Sequence, residues 1–122
     1  MAYLRTEKDS FEIDYPLEKI WDAIPDVINY LNWEIEEKDD QKHTAKLKSK
    51  PGFLAFATVL LIEASSTGDK TSKMIVDAET PVTTITSIAD FGRTRDRLEQ
   101  FVDELSKEME RRTGKPVGEP KV

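Results

Sequence analysis

Polar and apolar positions alternate at the start of the chain. Phe11, Ile13 and Tyr15 interleave with Ser10, Glu12 and Asp14. A period of two puts three apolar side chains on one face and predicts a half-buried strand. Pro16 ends that pairing and suits the first position of a helix. Leu17, Ile20, Trp21, Ile24, Ile28 and Leu31 then recur every three or four residues, the stripe of an amphipathic helix. Pro25 falls inside the stripe. A proline there removes one backbone hydrogen bond and crowds the preceding turn, which predicts a kink or two short helices.

Four strand-like runs follow. Trp33 and Ile35 alternate with Glu34 and Glu36, and Asp39-Asp40-Gln41-Lys42 reads as a turn. Ala45, Leu47 and Ser49 then alternate with Lys46, Lys48 and Lys50. A hairpin centred near Gln41 sets Glu36 opposite Lys46, Glu34 opposite Lys48 and Ile35 opposite Leu47. Charges then pair on one face and apolar groups on the other. After the Pro51-Gly52 turn, residues 53–64 are almost wholly apolar and predict a strand covered on both faces. Residues 65–70 read as a loop. Thr71 to Ala78 read as a strand with Met74, Val76 and Ala78 on one face. Residues 82–88 have high β propensity without clear alternation and fit either a short strand or an ordered loop.

Asp90 is placed to cap a last helix. Its apolar face is Phe91, Leu98, Phe101, Val102, Leu105 and Met109, and it ends near Arg112 or Thr113. The glycines and prolines of residues 114–122 do not continue it, so a flexible tail is expected. The chain is therefore read as one α+β domain over residues 1–113. Its order is strand, helix, antiparallel meander of four to five strands, and a long C-terminal helix packed on the sheet.

That order, with certain local residues, resembles the helix-grip fold of the START-like, birch-allergen-like (SRPBCC) superfamily. The residues are Phe11 to Asp26, where Pro16, Ile20-Trp21 and Asp26 match the strand–proline–helix opening of such domains, and the Phe91-Gly92 turn before the last helix. The pattern is just as similar to the strand–helix–four-strand–helix unit of TATA-box-binding-protein-like folds. The helix-grip family has six strands between its helices, where four or five are predicted here. The resemblance implies a small apolar or lipid-like ligand held between the sheet and the last helix, or a partner bound by the sheet. It also brings in, by fold analogy alone, an enzyme of the cyclase kind.

Composition narrows the chemistry. Net charge is −6, and residues 1–40 hold twelve acidic against four basic side chains. An acidic chain is a poor general binder of nucleic acid, which needs a basic face. There is no cysteine, which removes thiol catalysis and thiolate metal sites and fits a reducing, cytoplasmic setting. The N-terminus lacks the apolar core of a signal peptide, and the apolar run at residues 53–62 is too short to span a bilayer. No cofactor motif and no convergent metal ligands are present.

Six large apolar residues are the candidates for lining a ligand site: Trp21, Trp33, Phe56, Met74, Phe91 and Phe101. The competing reading is ordinary core packing. Arg93, Arg95 and Arg97, at the start of the last helix, are the candidate anion site, against the reading of a charged helix face. Lys46, Lys48 and Lys50 could hold an anionic group or simply pair with Glu34 and Glu36. His43, the single histidine, sits beside a turn without a catalytic partner at a meaningful spacing. The functional alternatives are a binding module for an apolar ligand and a protein-interaction or homo-oligomerisation domain.

Overall fold

The computed structural model describes residues 3–50, 57–82 and 93–113. The elements run β1 (Tyr3–Ile13), α1 (Leu17–Leu31), β2 (Glu34–Asp39), β3 (Thr44–Lys48), β4 (Val59–Gly68), β5 (Thr71–Val82) and α2 (Arg93–Thr113). The five strands form one antiparallel sheet in the order β1-β5-β4-β3-β2. Among the described strands the first thus lies beside the last, and β1 and β2 are the two edges.

Residue parity decides which face is covered. Leu60, Ile62 and Ala64 of β4, Met74, Val76 and Ala78 of β5, and Ala45 and Leu47 of β3 all point inward. They meet the apolar stripes of both helices. From α1 come Ile20, Trp21, Ala23, Ile24, Val27 and Ile28; from α2 come Leu98, Phe101, Leu105 and Met109. Both helices lie on this one face, so the opposite face meets none of the described elements. Leu61 is accordingly 40% exposed. The expectation of a β4 strand covered on both faces is corrected by this: burial alternates along β4, because both covering helices are on one side.

Several boundaries differ from those read in the sequence. β1 begins at Tyr3, well before Ser10. Its inward positions there include Glu7 and Asp9, whose carboxylates hide the alternation. The helix through Pro25 is a single α1 instead of two short helices. Buried residues on both sides of the proline, Ile20, Trp21, Ala23 and Ile24 before it and Val27 and Ile28 after it, hold both halves against the sheet. Pro16 stands at the N-cap, one position ahead of the first helical residue. The far end closes on Asn32 in the left-handed conformation, with the Trp33 N–H donating to the Ile28 carbonyl at 3.0 Å, a C-terminal motif that uses up the last carbonyls.

The β2–β3 hairpin keeps Glu34 opposite Lys48 and Ile35 opposite Leu47. A bulge after Ile35 puts Glu37, not Glu36, opposite Lys46; Glu36 still lies 3.9 Å from the Lys46 ammonium. β4 continues through Ser65 and Ser66 to Gly68, leaving Asp69-Lys70 as the turn. β5 extends past Ala78 to Val82. Of the stretch 82–88, read as a short strand or ordered loop, Val82 ends β5; residues 83–88, the Asp90 cap and the tail at 114–122 lie outside the described residues. Among the described residues no helix is long and apolar enough to cross a membrane.

Candidate functional site

The edge strand β1, together with Tyr15 two residues past its end, is tied to the helix α2 at two points. At one end the Arg95 guanidinium donates to Glu7 at 2.9 Å and to Asp9. These two carboxylates hold the arginine charged and raise its pKa, Asp9 contributing most. At the other end the Thr113 hydroxyl donates to the Met109 carbonyl at 2.7 Å. Its single proton is thereby used, so the Tyr15 hydroxyl 3.2 Å away is the donor to Thr113. Tyr15 itself is buried, and its carbonyl accepts from Ser72 at 2.9 Å.

Between these ties the helix and the edge strand leave a groove of 660 Å³. Phe11, Leu98 and Val102 form its apolar floor, and Asp9, Asp96, Glu99 and Asp103 stand along it. The sequence explains the opening. Among the described strands β1 is an edge, so Phe11 and Ile13 have a strand neighbour on one side only and stay partly buried, as does Val102. Asp103 is engaged by Lys107 at 3.0 Å and Asp9 by Arg95. Asp96 and Glu99 form no ion pair among the described residues. The groove therefore joins apolar surface to excess negative charge, which suits a ligand with an apolar body and a cationic end.

A second feature lies where the N-terminal half of α2 meets the sheet. Thr58, Thr80 and Thr94 are buried. The Thr94 hydroxyl donates to Thr80 at 2.9 Å, and Thr80 and Thr58 share a bond of 2.7 Å. The Thr58 amide donates to the Ser49 hydroxyl at 2.9 Å, which also accepts from Arg97 at 3.2 Å. Arg97 reaches the Lys50 carbonyl as well, at 3.2 Å. This network joins the ends of β3, β4 and β5 to the helix.

The candidate lining residues do not gather at the groove. Trp21, Met74 and Phe101 belong to the core cluster, with Trp33 partly buried against it. Phe56 and Phe91 lie outside the described residues. Trp21 has a specific anchor: its indole N–H donates to Asp40 at 2.8 Å, His43 meets its ring edge-on at 5.2 Å, and the Lys38 ammonium stands 5.3 Å from its centre. Those contacts dock α1 on the β2–β3 hairpin. Of the candidate anion site, Arg95 faces two carboxylates and Arg97 faces Ser49 and Lys50, while the Arg93 side chain is outside the described set. The groove-lining acids were not singled out in the sequence. Carrying the period of two back from Phe11 through Asp9 to Glu7 would have placed those two carboxylates on the inward face.

No protein-family model matches the chain, and no characterised protein matches it in sequence. Solved structures do match. Norcoclaurine synthase from Thalictrum flavum, in complex with dopamine and hydroxybenzaldehyde, aligns with a TM-score of 0.62 at 14% identity, over 93% of this chain and 91% of that one. The Zhui aromatase/cyclase of a Streptomyces species aligns at 0.57 and 12% identity, over 93% of this chain and 99% of that one. A major latex-like protein from Panax ginseng aligns at 0.55 and 12% identity, over 89% and 97%. Identities this low establish shared architecture, and the chain adopts the helix-grip fold of the START-like, birch-allergen-like proteins.

Proposed function

We propose that this domain binds a small ligand with an apolar body and a positively charged end, seated in the groove between β1 and α2. The observation that carries this reading is the groove itself: 660 Å³, floored by Phe11, Leu98 and Val102 and flanked by four carboxylates. Its volume falls in the range of about 300–1,000 Å³ common to small-molecule sites. It lies beside the C-terminal helix, and the resemblance to helix-grip proteins implies a ligand held between the sheet and that helix. One fold neighbour is in complex with dopamine and hydroxybenzaldehyde. An aromatic amine fits the chemistry of this groove, so dopamine is a suitable first probe and the aldehyde a neutral control.

The test is calorimetric titration with both compounds. Dopamine is expected to bind more tightly than hydroxybenzaldehyde, and the difference is expected to shrink with added salt as the carboxylates are screened. Val102→Trp, which fills the groove from the helix side, should weaken dopamine binding by at least about tenfold, or roughly 1.4 kcal/mol. Unchanged binding by that variant would place the ligand elsewhere. No heat with either compound at millimolar concentration would remove aromatic amines as the ligand class.

A further inference from the structure

The outward face of the sheet carries its charges in a particular order. Cross-strand partners set Lys8, Asp77, Leu61, Lys46 and Glu37 side by side across all five strands. In strand order this row reads positive, negative, apolar, positive, negative. Reversed and laid on itself, it pairs every charge with its opposite: Lys8 with Glu37, Asp77 with Lys46, and Leu61 with Leu61. The adjacent row, Thr6, Glu79, Val59, Lys48 and Glu34, does the same for Glu79 and Lys48, with Val59 meeting itself.

A two-fold axis parallel to β4, lying just above Leu61, performs this reversal. It is the symmetry of an isologous dimer. Shape follows charge. A twisted sheet is a saddle, hollow along one diagonal and raised along the other, and the first row, with Thr44, Glu63 and Ile75 on its other side, lines a concavity of 590 Å³. Rotation about an axis along the strands brings the raised diagonal of one copy over the hollow of the other. The gap between the two sheets then stays constant, as in aligned sheet packing. The five cross-strand partners of the first row also sum to zero charge, so the net charge of −6 is not concentrated there; Glu36, 3.9 Å from Lys46, adds one negative charge at the β2 edge. On the third row Glu63 meets itself, beside the exposed Leu61 at the axis. That repulsion weakens the contact and gives it a sensitive reporter.

We propose that the outward sheet face binds a second copy of this chain, as a two-fold dimer whose axis runs along β4 at Leu61. The groove is on the other side of the sheet, so this proposal stands or falls apart from the ligand reading.

Sedimentation velocity of the intact chain at high-micromolar concentration tests it, and the parent is expected to dimerise. Asp77→Lys and Lys46→Asp should each weaken the dimer by at least about tenfold, because each sets like charges opposite one another twice. An equimolar mixture of the two variants should dimerise again, since the reversed charge at 77 in one chain then meets the reversed charge at 46 in the other. A misfolded variant would not be rescued by mixing, and thermal melts of each variant check the same point. Glu63→Gln gives a readout of opposite sign, tightening the dimer. A parent that stays monomeric at this concentration overturns the proposal. So does a dimer indifferent to both reversals, or two folded variants that fail to rescue each other.

Discussion

Thr58, Thr80 and Thr94 place three hydroxyls where an apolar residue would be the usual occupant. Each bonds to the next, so the polar atoms satisfy one another in the interior. Thr80 sits at the middle, accepting from Thr94 and sharing a proton with Thr58. Thr80→Val keeps the shape and removes that central partner from two buried hydroxyls. The expected loss is about 1–3 kcal/mol of unfolding free energy, read from denaturant melts. A variant as stable as the parent would mean that the hydroxyls are exchangeable for apolar contact. None of these threonines stood out in the sequence. Threonine is common in strands and the network links residues distant along the chain, so no local pattern announces it. Trp21 shows the converse case. Its burial was legible from the helical stripe, but its bond to Asp40 depends on how the β2–β3 turn folds back.

At the scale of elements, α2 is held by ion pairs as well as by its apolar face. Near its C-terminus Glu108 accepts from Arg112 at 2.7 Å and from Arg111 at 2.9 Å, and Arg112 also reaches Asp26 of α1. Arg112, and then Arg111, hold the Glu108 carboxyl below its ordinary value of 4.5. Because the folded value is the lower one, the stabilisation from ionised Glu108 is present above pH 4.5 and disappears as pH falls through the folded value. Glu108→Gln should therefore cost stability at neutral pH, and its gap from the parent should close on acidification below 4.5. Melts at a series of pH values measure this; a gap that persists in acid would assign the effect to shape instead of charge. Elements with a clean apolar period were legible: α1, β3, β5 and the buried face of α2 at Leu98, Phe101, Leu105 and Met109. What escaped was set by neighbours. The first half of β1 is a strand because it pairs with β5 from Tyr3 onward, and its inward acids depend on Arg95, far along the chain. The exposed face of β4 follows from both helices choosing the same side, which an apolar run does not reveal.

For the whole molecule, the α+β architecture was legible from element order (a strand and helix, a meander, and a helix to close one face), an order that the helix-grip fold shares with the TATA-box-binding-protein-like unit. The groove was not. Of the large aromatic and methionine residues that suggested a pocket, Trp21, Met74 and Phe101 fill the core, and open space lies at the β1 edge beside Phe11, Leu98 and Val102. The molecule thus has two faces with different chemistry. The inner edge offers an acid-flanked apolar groove, and the outer sheet offers a charge pattern that matches its own reversal. The measurement that bears most directly on the groove is an amide chemical-shift titration of the isotope-labelled parent with dopamine. Shifts concentrated at Phe11 and at residues 96–106 of α2, with the outward rows of the sheet unmoved, are the expected result. Shifts centred on the outward face, or no shifts at millimolar dopamine, would contradict a groove for aromatic amines between β1 and α2.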